Sequence, residues 1–346
     1  MVNNCVQNAF YIMKKRMLMG TNNNIETKVG GLRAVELYYR GIREFESGDT
    51  TFLQSKTRLN TPGMGTLMPE TFRKVAELSN QCVSLFELEL KQCIETVKSL
   101  LEKDFYFRWI SVYMPLRYLE TKNVQQKLMD TMDEMSTDTN RICFEVAPEL
   151  LLHGTNVHRN VIEQLRNRGF HFMLTDFGGI NSPLMKLAYF PVDYVMLSQE
   201  IIGYLNKDDR SLSAVSSIVD FVEGMEADVI ADGVSNVDQA EQLFKSHIRF
   251  GAGSLVGRYV TERYLKRKKS EENAAAKNEE SYESSDHTAE VSAKTAEASA
   301  ETAVASTETA EANTVTVEAN ADVSETSEEQ AEVTEDNVVV ETQADN

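Results

Sequence analysis

The sequence predicts an α/β fold, a TIM-like (β/α) barrel followed by a disordered acidic tail, and three observations predict it. First, from about residue 35 short β-branched or aromatic runs alternate with stretches of helical period, the signature of parallel strands joined by crossover helices. Second, charge is segregated. Residues 271–346 hold 21 acidic residues and 2 lysines, which accounts for the whole formal charge of −19 and leaves the first 270 residues neutral. Third, carboxylates stand in or at the ends of several candidate strands, the rim where barrel chemistry sits.

Taken in order, the candidate strands are Val35–Arg40, Phe105–Met114, Ile142–Val146, Phe170–Phe177, Tyr194–Leu197, Asp228–Val234 and Ile248–Phe250. Between them, Thr71–Leu101 places Phe72, Val75, Leu78, Leu85 and Leu88 at mixed three- and four-residue spacing, which reads as two helices. Further helices are expected over Val124–Met135, Val157–Arg168, Ser182–Ala188, Ser211–Met225 and Val237–Ser246. Asn156, Ser182-Pro183, Asp209 and Asn236 supply start signals, since short polar side chains accept from free amides at a helix N-terminus. Seven or eight units over some 240 residues suit a closed barrel better than an open sheet.

The tail contains no Gly, Pro, Met, Trp or Phe and one aromatic residue, Tyr282, so it cannot bury enough apolar surface to offset its ordering entropy. The expected organisation is a lead-in over 1–22, a folded domain over 23–265 and a disordered Ala/Thr/Glu/Ser-rich tail over 266–346. No run approaches the ~18 apolar residues of a membrane span. The patch Phe10-Tyr11-Ile12-Met13 precedes the basic cluster Lys14-Lys15-Arg16, the reverse of a secretory signal. Cys5, Cys82, Cys93 and Cys143 are scattered in apolar contexts and read as reduced thiols of a cytoplasmic protein. A neutral folded region with an acidic tail lacks the basic footprint of nucleic-acid binding. The basic run Arg263–Lys269 reads as a solvated boundary.

Four carboxylates carry the chemistry: Glu36, Glu145, Asp176 and Asp232. An acid inside a strand is costly to bury without a partner. Gathered on one rim, the four would form an oxygen-rich set suited to a hard cation such as Mg²⁺ or Mn²⁺. Any one of them alone suits a helix cap or a local ion pair better, and it is the four on successive strands that bring the metal reading level.

From about Val29 to Val260 the sequence resembles the EAL domain, whose active members hydrolyse the bacterial second messenger cyclic di-GMP. The resemblance is carried by Gly31–Arg40 (GLRAVELYYR), Gly65–Glu77 (GTLMPETFRKVAE), Asn167–Glu200 and Val229–Leu243. Its most specific piece is Thr175–Leu184 (TDFGGINSPL) with Phe190–Val195 (FPVDYV), which is similar to the family's DDFGTGYSSL loop and the strand after it. The resemblance implies a modified (β/α)8 barrel with one strand antiparallel. It also implies roles. Glu36, Glu145, Asp176 and Asp232 match metal-ligand positions, and Arg40 matches the arginine that contacts substrate phosphate.

Other family positions differ. Leu37 and Tyr38 replace the Ala-Leu of the name-giving motif, and Tyr113 stands for a ligand Asn. Thr175 stands for the bridging Asp, Met196 for the Lys that orients water and Ser198 for a following Asp. Asp232 is one methylene shorter than the family Glu, Ser235 replaces a second Glu, and Ala252-Gly253 replaces Gln-Gly. Two-metal hydrolysis needs bridging carboxylates and a positioned water, so the expectation is a degenerate domain serving as a signalling or regulatory module with a protein partner. The alternatives are a cyclic di-GMP receptor that does not hydrolyse and a weak metal-dependent phosphodiesterase. Gly179-Ile180-Asn181 replaces Thr-Gly-Tyr in the family's dimerisation loop, where a homodimer is the expectation.

Overall fold

The computed structural model describes residues 28–29, 32–61, 64–179, 182–205 and 208–265. The lead-in over 1–22, the tail over 266–346, Cys5 and most of the basic run lie outside them.

A short ribbon, β1 (Lys28–Val29) and β2 (Leu32–Arg33), precedes the barrel. The barrel strands are β3 (Val35–Glu44), β4 (Thr50–Thr61), β6 (Ile110–Tyr113), β7 (Ile142–Val146), β8 (His171–Phe177), β9 (Tyr194–Leu197), β10 (Asp228–Asp232) and β11 (Phe250–Ala252). β5 (Gly65–Leu67) extends the sheet beyond β4. Strand order runs from β3 through β11, β10, β9, β8, β7 and β6 to β4, and pairing of β3 with β4 closes the circle. β3 is antiparallel to both neighbours, β4 and β11, while the other barrel pairings are parallel. The barrel and its one antiparallel strand are as expected.

The connections are α1 (Pro69–Glu77), α2 (Gln81–Glu102), α3 (Leu116–Leu119), α4 (Val124–Glu134), α5 (Glu149–His153), α6 (Asn156–Arg166), α7 (Gln199–Ile202), α8 (Asp209–Glu223) and α9 (Val237–Lys245). Thr71–Leu101 does divide in two, at α1 and α2. None of the described helices is long and apolar enough to cross a membrane. Cys82, Cys93 and Cys143 are buried free thiols.

Side chains alternate across each strand. One set packs outward against the helices, as Leu37, Tyr39, Phe144, Val146, Val195 and Leu197 do. The other fills the barrel interior: Ile42, Phe52, Trp109, Cys143, Met173, Tyr194, Met196, Ile230, Phe250 and Ala252 form one buried cluster. Phe52 is its hub, stacked on Trp109 at 4.1 Å and edge-on to Tyr194 and Phe250 at 5.3 and 4.9 Å. The same alternation places the next interior side chains, Arg40, Gln54, Ser111 and Glu145, in a polar layer above this apolar plug.

Five points differ from expectation. β4 was not foreseen, because its middle reads Gln54-Ser55-Lys56-Thr57-Arg58 without an apolar face. The run Phe105–Met114 contracts to Ile110–Tyr113, and Ser182–Ala188 is a 3-10 helix over Leu184–Tyr189. Helix α6 is capped by Thr155 rather than Asn156, with His158 returning to the Thr155 amide at 3.0 Å. Asp208, not Asp209, caps α8 through the Ser211 amide, whereas Asn236 caps α9 as expected.

Replacing Phe52 by Ala empties the centre of the plug. Urea unfolding of the variant is expected to show a loss of about 3–5 kcal/mol, and a loss below about 1 kcal/mol would mean that the interior collapses around the gap.

Candidate functional site

The polar layer opens into a cavity of about 200 Å³ at the C-terminal end of the parallel strands. Of the residues singled out in the sequence, Arg40, Tyr113, Glu145, Thr175, Asp176, Met196, Ser198 and Asp232 line it. Glu36, Ser235 and Ala252 do not. Glu36 lies four residues along β3 from Arg40, opposite Arg58, and accepts from the Tyr38 hydroxyl at 3.4 Å. The Ser235 hydroxyl donates to Gln239 Oε1 at 2.9 Å, and Ala252 is buried in the apolar plug.

Arg40 organises the cavity. Its Nε donates to Gln54 Oε1 at 2.8 Å, and its Nη2 pairs with Asp232 Oδ1 at 2.8 Å. The pair is mostly withdrawn from water, with side chains 10% and 18% exposed. The Tyr259 ring covers the guanidinium at 4.9 Å, and the Tyr259 hydroxyl also donates to Gln54 Oε1, at 2.9 Å. Asp232 Oδ1 further accepts the Gly233 amide at 2.8 Å, and its Oδ2 accepts from Gln199 at 3.1 Å. Both carboxylate oxygens are therefore occupied by protein donors.

On the opposite wall, Arg73 stacks on the Tyr113 ring at 3.9 Å and donates to Thr57 Oγ1 at 3.2 Å. It also pairs with Glu89 at 3.4 Å, a carboxylate fully buried on α2. The Thr57 hydroxyl donates to Glu89 at 2.6 Å, and the Tyr113 hydroxyl donates to Glu77. Burial pushes Glu89 up from its ordinary value, against the pull of Arg73 and Thr57. Lys56 is held by Glu70 at 2.6 Å.

The remaining carboxylates differ in setting. Glu145 is buried and receives a hydrogen bond from Ser111. Asp176 is exposed and adopts the left-handed conformation, at φ 55°, which Asp tolerates better than most residues. Its carboxyl is raised by burial of its surroundings first, then by the negative charges of Glu200, Asp232 and Glu149. Thr175 spends its hydroxyl on the Val146 carbonyl at 3.4 Å, and Met196 touches Gln54 Nε2 through its sulfur at 3.8 Å. Among the described residues, no three His, Cys, Asp or Glu side chains converge as a metal-binding group. A donor set with Asp232 saturated and Glu36 outside the cavity does not fit a pair of divalent ions.

Sequence reasoning missed Gln54, Lys56, Arg73 and Tyr259 as lining residues. The first two come with the unrecognised strand β4. Arg73 lies in the quoted segment GTLMPETFRKVAE, but only tertiary structure turns it towards the cavity.

A family model described as "EAL domain" matches residues 25–259. The curated cyclic di-GMP phosphodiesterase PdeR of Escherichia coli K12 is 27% identical over 228 residues, covering 64% of this chain and 34% of that protein. The chain thus spans about a third of the length of this relative. Among solved structures, the FimX EAL domain from Pseudomonas aeruginosa bound to c-di-GMP superposes with a TM-score of 0.60 at 12% identity, over 72% of this chain and 96% of that one. The EAL domain protein from Listeria monocytogenes EGD-e gives 0.57 at 19% identity, over 66% and 90%. At these identities the two structures establish the fold.

Burial, the largest influence, pushes the Glu145 carboxyl up, while hydrogen bonds from Ser111 and Gln54 pull it down. A carboxyl raised in the folded state holds its proton longer there than in the unfolded chain. Its ionisation therefore costs stability as pH rises from the ordinary glutamate range through the raised value. Glu145→Gln is expected to melt above the wild type at about pH 8 and to converge with it near about pH 4. A difference that stays constant with pH would exclude a buried charge at this position.

Proposed function

The chain belongs to the EAL domain family, and from that premise we propose that it is a catalytically degenerate member, acting in the cytoplasm as a regulatory module that engages a protein partner. The observation that carries the reading is the commitment of Asp232 to Arg40 at 2.8 Å, with its second oxygen taken by Gln199. A residue at a metal-ligand position is neutralised by the residue at the phosphate-contact position. One ion pair thereby withdraws both from the reaction that the family's motif serves.

Two-metal hydrolysis needs ligands on both ions and a positioned water, and these parts act as a unit. Thr175 and Tyr113 direct their hydroxyls to Val146 and Glu77, away from such a role. Met196 offers a thioether where an amine would hold water. Charge balance supports the same reading against ligand capture, since Arg40, Lys56 and Arg73 each have a carboxylate partner.

A second reading, a cyclic di-GMP receptor without turnover, is favoured by one feature. Those three cations line a single cavity flanked by the rings of Tyr113 and Tyr259, and arginine recognises phosphate through charge-assisted hydrogen bonds. The segment after Asp176 remains the site proposed for self-association, with residues 180–181 outside the described set.

Incubation of the full chain with cyclic di-GMP and Mg²⁺ or Mn²⁺ is expected to yield no linear product above the buffer control on chromatography. Calorimetric titration is expected to give no heat at tens of micromolar ligand. Turnover abolished by Glu36→Ala would overturn the degenerate reading, and binding without turnover would replace it with the receptor.

A further inference from the structure

After β11 the chain does not leave the barrel. Gly253 starts a turn in which the amides of Val256 and Gly257 donate to its carbonyl at 3.1 and 3.0 Å. The turn requires glycine, since at φ 152° a Cβ would lie 2.2 Å from the Val234 carbonyl oxygen. The segment then returns across the mouth of the cavity and pairs with β3. Tyr39 and Val260 exchange both backbone hydrogen bonds, at 2.7 and 2.9 Å. Beyond this bridge, Glu262 is tied to Lys103 at 2.8 Å and to Ser99, both at the end of α2. The strap is anchored on both sides of Tyr259, and between the anchors Gly257 has open space around it.

We infer that residues 256–260 form an autoinhibitory strap in which Tyr259 occupies the place of an aromatic, phosphate-bearing ligand over Arg40. Three contacts carry this. The ring lies on the guanidinium at 4.9 Å, as a stacked base would, and Lys56 approaches the same ring at 5.7 Å. The hydroxyl takes Gln54 Oε1, which Arg40 Nε also uses, so ring and guanidinium share one acceptor. Residues 256, 257, 259 and 260 are half-buried and are held by backbone hydrogen bonds and by side-chain contacts at Tyr259 and Glu262, so the strap can lift without unfolding the barrel. Local opening of that kind is the ordinary behaviour of lightly buried segments.

This inference rests on the reading that the closed chain does not take up cyclic di-GMP, and it names a second element, beside the Arg40–Asp232 pair, that keeps the site shut. Apparent affinity falls in proportion to the fraction of molecules in the competent state. If the strap is open in no more than about one molecule in ten, its removal tightens binding by about tenfold or more.

The test is calorimetric titration of cyclic di-GMP into the full chain and three variants, each first checked for cooperative melting. Tyr259→Ala is expected to give measurable heat at tens of micromolar ligand, where the wild type gives none, a gain of at least about tenfold. Tyr259→Phe keeps the ring on Arg40 and is expected to stay within about threefold of it. Val260→Pro removes the amide that pairs with Tyr39 while leaving Tyr259 intact, and is expected to reproduce the gain. It also serves as the test if Tyr259→Ala does not fold. Wild-type binding at tens of micromolar would overturn the proposed function while leaving the ratio to decide the strap. A folded Tyr259→Ala or Val260→Pro variant that binds no better than wild type would overturn the strap while leaving the proposed function untouched.

Discussion

Closure of the barrel depends on the strand Val35–Glu44, which is hydrogen-bonded on both edges and runs against both neighbours. A sheet of parallel strands ends in two unpaired edges, and pairing them through one shared strand removes both. The direction of that strand matters as much as its presence. Because it runs backwards, its first half lies at the rim where the parallel strands end, and its last half reaches the floor. Ile42 therefore joins the apolar plug, while Arg40, two residues earlier, stands one layer higher among polar groups. Outward-facing Leu37 and Tyr39 lock the same strand against the helices, with the Tyr39 hydroxyl bonded to Thr96 at 2.8 Å. The placement of the cavity's central cation follows from strand direction and alternation alone.

The same geometry explains what was legible in the sequence. Ile142–Val146 and Tyr194–Leu197 are readable to the residue because a parallel strand covered on both faces is a short, predominantly apolar run. Glu145 and Asp232 stood out against that background, as carboxylates among Ile, Val and Phe. β4 was unreadable for the opposite reason. Its inward Gln54 and Lys56 line a polar cavity, and its outward Thr57 meets the buried Glu89, so neither face is apolar. Tyr259 carried no signal, since its meeting with Gln54 spans 205 residues of sequence. The start of α6 is displaced by one residue because Thr155 and Asn156 are both ordinary N-cap residues and the capping-box partner at the third helical position is a histidine instead of the usual Glu or Gln.

Electrostatically, the three cations of the cavity, Arg40, Lys56 and Arg73, each stand in an ion pair. Withdrawing a charge from water costs several kcal/mol unless a partner and further hydrogen bonds compensate. Arg40 with Asp232 meets that demand, with Gln54, Gln199 and the Gly233 amide as further partners, whereas Arg73 with Glu89 meets it in part, through Thr57 and the Tyr113 face, because Glu89 Oε2 is buried without a hydrogen-bond partner. Glu145 has no cation within bonding distance among the described contacts and relies on Ser111 and Gln54, which is why burial dominates its titration. A phosphate entering such a site would have to replace a carboxylate already at 2.8 Å from Arg40, rather than meet a free guanidinium.

Positions of the cavity that differ from the family's motif carry structural duties of their own. Met196 is 2% exposed and belongs to the plug with Tyr194, Met173 and Phe250. A lysine at that position would bring an ammonium to the boundary between the plug and the polar layer, where Gln54 now contacts sulfur. Glu145, buried and without a cation of its own, is the carboxylate nearest to such a charge through Gln54, and pairing would have to offset the desolvation of both groups, ordinarily several kcal/mol each. Restoring Thr175 to Asp would likewise break the bond to Val146 and add a negative charge near Asp176, which already feels Glu200, Asp232 and Glu149. Each of these two replacements therefore meets an opposing cost, desolvation of a charge at position 196 and a lost hydrogen bond with added like charge at position 175.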